Sequence, residues 1–123
     1  MAMRRSEIIG LAIVMAVSMG LGQWLRSTQA PATDEQGAQL RALVRPGQLQ
    51  MISSTSCRYC TIAREWLTAQ QVPFDECFVE TSSACRQRFQ QTGGRATPTF
   101  VIGQKAVLGL DAPRLLQILS EKP

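Results

Sequence analysis

The chain contains no histidine at all. A histidine-assisted nucleophile and a mixed cysteine–histidine zinc site are both excluded by that absence alone. A second close cysteine pair is missing too: Cys57 and Cys60 lie three apart, whereas seven residues separate Cys77 from Cys85. A four-thiolate zinc site wants two such pairs, so no metal is expected. Nor is there a clustered basic stripe. The formal charge is +4, but Arg4, Arg5 and Arg26 flank a hydrophobic segment, and beyond residue 33 ten basic residues face eight acidic ones. Nucleic acid is therefore not an expected partner. Finally, 123 residues leave no room for a second domain.

What is present begins with an address. A short basic head runs to Glu7, and residues 8–22 follow without a charge, extended by Gln23, Trp24 and Leu25 towards Arg26. The basic end should stay in the cytoplasm while the remainder is translocated. Residues 1–30 are read as a signal peptide or a membrane anchor. Ala30-Pro31-Ala32 offers a small-residue cleavage site. The uncharged length, slightly short of a usual span, with Trp24 at its far edge, tips the reading towards an anchor. Either way the cysteines are expected in an oxidising, extracytoplasmic compartment, the bacterial periplasm. Residues 31–47 read as a linker that turns helical from Asp34 towards Val44, before Pro46-Gly47 breaks the chain.

Residues 48–123 carry the folded domain. Leu49–Ser53 reads as a strand, Arg58–Gln70 as a helix with Ile62, Ala63, Trp66 and Leu67 on its apolar face, and Phe74–Val79 as a second strand. Thr81-Ser82-Ser83 can cap a helix over Ala84–Gln91, ended by Gly93-Gly94. Thr99–Ile102 and Ala106–Leu108 form a hairpin, and Asp111 caps a last helix with Pro113 in its first turn. The order β-α-β-α-β-β-α, with a right-handed first crossover, predicts a four-stranded mixed sheet with helices on both faces.

The chemistry concentrates at Cys57-Arg58-Tyr59-Cys60, where the first helix of that domain starts. Unpaired N–H groups and the dipole at a helix N-terminus stabilise a thiolate. Cys57 is the expected nucleophile, exposed at the helix start, and Cys60 the more shielded resolving thiol. Arg58 adds a positive charge favouring the thiolate, and Tyr59 a polar-tipped surface. Such a pair implies thiol–disulfide exchange. Thirty-seven residues beyond Cys60, Thr97-Pro98 opens a strand facing the pair. A cis Thr97–Pro98 bond would offer Thr97 backbone groups to an extended substrate segment, although a proline can also merely start a strand. For Cys77 and Cys85 three states stay open: a structural disulfide, a second exchange pair relaying electrons to Cys57/Cys60, or two unlinked thiols.

From Gln48 to Leu119 these pieces together resemble a glutaredoxin of the thioredoxin-like superfamily. The resemblance is carried by Cys57-Arg58-Tyr59-Cys60, Val72-Pro73-Phe74, Thr92-Gly93-Gly94-Arg95-Ala96-Thr97-Pro98 and Gly109-Leu110-Asp111. It implies an α/β, glutaredoxin-type fold behind the N-terminal hydrophobic segment. By the same likeness Cys57 attacks, Cys60 resolves and Tyr59 is the active-site tyrosine. Thr97 and Pro98 form a cis-proline loop, with Arg95 and Asp111 at the two ends of a bound glutathione. Three positions depart from the family pattern: Arg58 replaces a proline, Ser54 a basic residue, and Leu108 a glycine. They turn the expectation from glutathione towards protein thiols or disulfides, including those of a membrane redox partner, with no resident cofactor. A noncatalytic docking module and a thiol metal carrier are the competing functional classes.

Overall fold

The computed structural model describes residues 4–26 and 31–121. Ala30 of the small-residue stretch and positions 27–29 of the expected link lie outside the described residues, as does the side chain of Trp24. Helix α1 spans Arg5–Arg26, and its described apolar side chains, Ile8, Ile9, Leu11, Ile13, Val14, Met15 and Val17, are all exposed. Among the described residues no helix is long and apolar enough to cross a membrane.

The second compact unit starts at Ala32, not at residue 48. Helix α2 (Asp34–Leu43) opens with a capping box: the Gln36 N–H donates to the Thr33 hydroxyl, and the Thr33 N–H donates to the Gln36 side chain. Asp34 and Glu35 in its first turn and Arg41 in its last suit the helix dipole. Leu40 and Val44 are buried in the main core, so the segment read as a linker is part of the fold. Its polar composition hid this, because within the helix the buried positions are Gly37 and Leu40, and a glycine marks no apolar face.

Four strands follow in the spatial order β2-β1-β3-β4, with β1 at Leu49–Ser53, β2 at Asp75–Phe78, β3 at Thr99–Ile102 and β4 at Lys105–Leu108. β1 pairs parallel with β2 and antiparallel with β3, and β3 pairs antiparallel with β4. The parallel pair is bridged by α3 (Arg58–Ala69); α4 (Ser83–Gln91) and α5 (Ala112–Ser120) complete the chain. No observed strand or helix end from β1 to β4 differs from the sequence expectation by more than one residue. Ser82 is the side chain that caps α4, its hydroxyl accepting from the Cys85 N–H at 3.1 Å.

Side chains alternate across the sheet and build two cores. Leu49, Met51, Phe100 and Val107 face α2, α3 and α5, while Ile52 and Val101 face α4 through Cys85 and Phe89. The expected helices on both faces are thus present. On α3 the buried stripe is Cys60, Ala63 and Leu67, spaced i, i+3, i+7. Trp66 sits at its margin, and Ile62, expected inside, is 48% exposed because it falls beyond that margin. Leu40→Ala should cost about 2–5 kcal/mol by loss of a fully buried side chain. Urea denaturation monitored by tryptophan fluorescence checks whether α2 belongs to the cooperative unit.

Candidate functional site

The site is built where β1 hands the chain to α3. Ser54 to Ser56 make a short turn, in which the Cys57 N–H donates to the Ser54 carbonyl at 3.2 Å. Cys57 is the N-cap of α3, with extended backbone angles, and its Sγ accepts from the Cys60 N–H at 3.1 Å. A sulfur thus takes the place usually filled by a serine or aspartate oxygen. Cys57, expected to be exposed, is half-buried, and Cys60 is fully buried, so the first sulfur is the more accessible of the two. The two are joined, with Cα atoms 5.2 Å apart, inside the range a disulfide spans.

Thr97 closes the site from the opposite side. The Thr97–Pro98 bond is cis, and the Thr97 carbonyl oxygen lies 3.4 Å from Cys57 Sγ. A disulfide sulfur cannot donate there, but a reduced thiol at position 57 can. The two contacts therefore pull in opposite directions: the Cys60 N–H and the helix terminus favour a thiolate, and the Thr97 carbonyl favours a thiol. Pro98 is buried and has no N–H to compete for the sulfur. Its carbonyl accepts from the Gly109 N–H at 2.9 Å, which ties the loop before α5 to the same place. Gly109 has a φ of +74°, a conformation open to glycine at little cost.

The remaining residues singled out from the sequence are placed as follows. Arg58 occupies the first turn of α3 beside Cys57 and is exposed, and Tyr59 is 74% exposed. Arg95 is exposed on the segment leading to Thr97. Asp111 is exposed and caps α5, its Oδ1 accepting from the Arg114 N–H at 3.0 Å. Cys77 and Cys85 are joined, with Cα atoms 5.8 Å apart, and this bond staples β2 to α4. Cys85 is buried among Ile52, Val101 and Phe89 on the α4 face of the sheet, whereas Cys60 packs with the helix on the other face. That separation disfavours direct exchange between the two pairs.

Sequence reasoning missed an ionic network beneath this site. Arg64 grips Glu76 with two hydrogen bonds, Nε to Oε2 at 2.7 Å and Nη2 to Oε1 at 2.6 Å, and the Ser53 hydroxyl donates to the same carboxylate at 2.8 Å. The guanidinium also lies 5.7 Å from the centroid of the Phe78 ring. The hydrogen bonds from Arg64, foremost, and from Ser53 hold the Glu76 carboxyl below the usual carboxylate range, against an opposing push from partial burial. Glu80 was missed as well. It accepts from the Ser54 hydroxyl and, at 3.2 Å, from the Thr55 N–H, and the Ser54 contact holds its carboxyl low. The available signal was Glu76 at a strand position that alternation places with Met51 on the α3 side, where a carboxylate needs a partner.

A family model described as glutaredoxin matches residues 49–107. Among solved structures, the thioredoxin-like protein BC3987, in a mutant form, is 27% identical, with a TM-score of 0.52 over 62% of this chain and 99% of that one. The glutaredoxin of Methanosarcina mazei Go1 is 21% identical, with a TM-score of 0.50 over 61% of this chain and 80% of its own. No curated protein matches the sequence. The fold is therefore thioredoxin-like and of the glutaredoxin type, and the domain that carries Cys57 and Cys60 is glutaredoxin-like.

Because the Glu76 pKa is lowered in the folded state, its contribution to stability is complete above the unfolded value near ~4.3 and is lost as pH falls through the folded one. Glu76→Gln should lower stability by about 1.5–3 kcal/mol at neutral pH. The gap to wild type should shrink as pH drops from about 5 towards 2. Urea midpoints measured across that range check both.

Proposed function

We propose that the protein is a thiol–disulfide oxidoreductase acting on protein thiols or disulfides outside the cytoplasm. The observation that carries this reading is a half-buried sulfur at the N-cap of α3, receiving the Cys60 N–H at 3.1 Å, with a shielded partner sulfur one turn in. The glutaredoxin match over residues 49–107 supports redox activity in general.

In the reducing direction the Cys57 thiolate attacks one sulfur of a substrate disulfide. The substrate S–S bond breaks, and the departing sulfur leaves as a thiolate that takes up a proton. Cys60 then loses its proton and attacks Cys57 Sγ, expelling the second substrate thiol. Two electrons pass to the substrate, and the Cys57–Cys60 disulfide remains. The oxidising direction runs the same steps backwards, and the potential of the pair against its partner sets the direction. Throughout, Thr97 presents backbone groups beside the reacting sulfur, and the exposed Arg58 and Tyr59 meet whatever the substrate brings.

The apolar, charge-free run within α1, behind Arg4 and Arg5, supports delivery out of the cytoplasm, with the segment either removed or kept as a tether at the inner membrane. Residual sequence departures at Arg58, Ser54 and Leu108 favour a protein partner, such as a membrane redox protein, over glutathione as the source or sink of electrons.

Cys57→Ser should abolish exchange, since Cys60 is buried and Cys77 and Cys85 are joined to each other. Cys60→Ser should accumulate a mixed disulfide through Cys57, seen as a reducible adduct on nonreducing gels of intact cells. Thiolate absorbance in the Cys60→Ser variant should give a Cys57 pKa below the free-thiol value of about 8.5. An inert Cys57 with no adduct would remove the enzymatic reading.

A further inference from the structure

The loop that delivers Cys57 is held from outside itself. The β1–β2 ladder continues one bond further, the Val79 N–H donating to the Ser53 carbonyl at 3.0 Å. Glu80 is the next residue, and its carboxylate takes the Ser54 hydroxyl on Oε1 and the Thr55 N–H on Oε2. Ser54 in turn accepts the Cys57 N–H through its carbonyl at 3.2 Å. One carboxylate thus pins both residues that begin the turn whose last residue is the N-cap. Glu80 is itself held within the ring closed by Cys77 and Cys85, eight positions apart, and the Arg86 guanidinium clasps the neighbouring Val79 carbonyl at 2.8 Å.

From this arrangement we infer that Glu80 is a positioning residue for the redox site, fixing the Ser54–Cys57 turn so that Cys57 Sγ sits between the Cys60 N–H and the Thr97 carbonyl. This rests on the exchange chemistry proposed above and adds a residue to it. The side chain touches neither substrate nor sulfur. It acts through the turn, by accepting two hydrogen bonds, so the acceptor oxygens matter more than the charge. Glu80 is exposed and belongs to neither core, which makes its loss mild for the fold and specific for the turn. A misplaced nucleophile reacts more slowly even when its chemistry is unaltered.

The test uses full-length protein with Cys60→Ser, so that a single attack by Cys57 on a small aromatic disulfide is read from the released chromophore. Glu80→Ala should slow that attack by about tenfold, with only a small fall in the thermal midpoint. Glu80→Gln, whose amide oxygen can accept the Thr55 N–H while its NH2 group donates to the Ser54 hydroxyl oxygen, should restore it to within about twofold of the parent. Hydrogen exchange at the Thr55 amide should be protected in the parent and in Glu80→Gln, and fast in Glu80→Ala. Attack by Glu80→Ala at the parental rate overturns the inference, and so does Glu80→Gln falling as far as alanine. If the parent itself never attacks, the exchange reading fails, while the Thr55 protection pattern still reports whether Glu80 holds the turn.

Discussion

Strand β1 is paired on both edges, parallel to β2 and antiparallel to β3, and its residues feed both cores in alternation. Met51 is locked between helices on one side, and Ile52 against α4 on the other, both fully buried. A strand fixed in this way has no freedom in position or register, because a one-residue slip would exchange its two faces. Its C-terminal end is therefore a rigid platform. The chain leaves it through a turn of three residues and enters α3 with the sulfur of Cys57 as the cap. The geometry of the redox pair is inherited from the strand, with the turn as the one adjustable piece between them.

Electrostatics around that platform follow a division of labour. Charged groups that support the scaffold, Arg64 and Glu76, satisfy each other beneath it, with Ser53 completing the carboxylate. An isolated carboxylate so enclosed would favour its neutral form, and the bidentate guanidinium is what keeps it ionised. At the head of α3 the backbone N–H groups favour an anionic sulfur, and the exposed Arg58 beside Cys57 adds a positive charge. The neighbouring Thr97 carbonyl sets a limit on this, since it lies close enough to reward a protonated sulfur.

Local signals in the sequence carried most of the fold. Period-two and helical patterns placed β1, β3, α3 and α5, and the capping side chains Ser82 and Asp111 marked helix starts within a residue or so. The central pair, its helix context and the facing Thr97-Pro98 were legible for the same reason, each being a short-range pattern with a physical cause. What escaped was long-range. Glu80 meets Ser54 and Thr55 across some 25 positions, and Arg64 meets Glu76 across 12, contacts that no spacing rule announces. Helix α2 was underrated because its apolar content is only what one shallow face requires, and Ile62 was overrated because apolar character does not reveal which side of a helix the core takes.

The bond between Cys77 and Cys85 has one further consequence, for survival rather than for chemistry. The peptide segment it encloses runs from the end of β2 over Glu80 to the first turn of α4, and much of it is exposed. A protease that nicks this segment once leaves both halves covalently attached, because the crosslink bridges the cut. Wherever thiol reductants are scarce, a molecule clipped there would keep its two halves together.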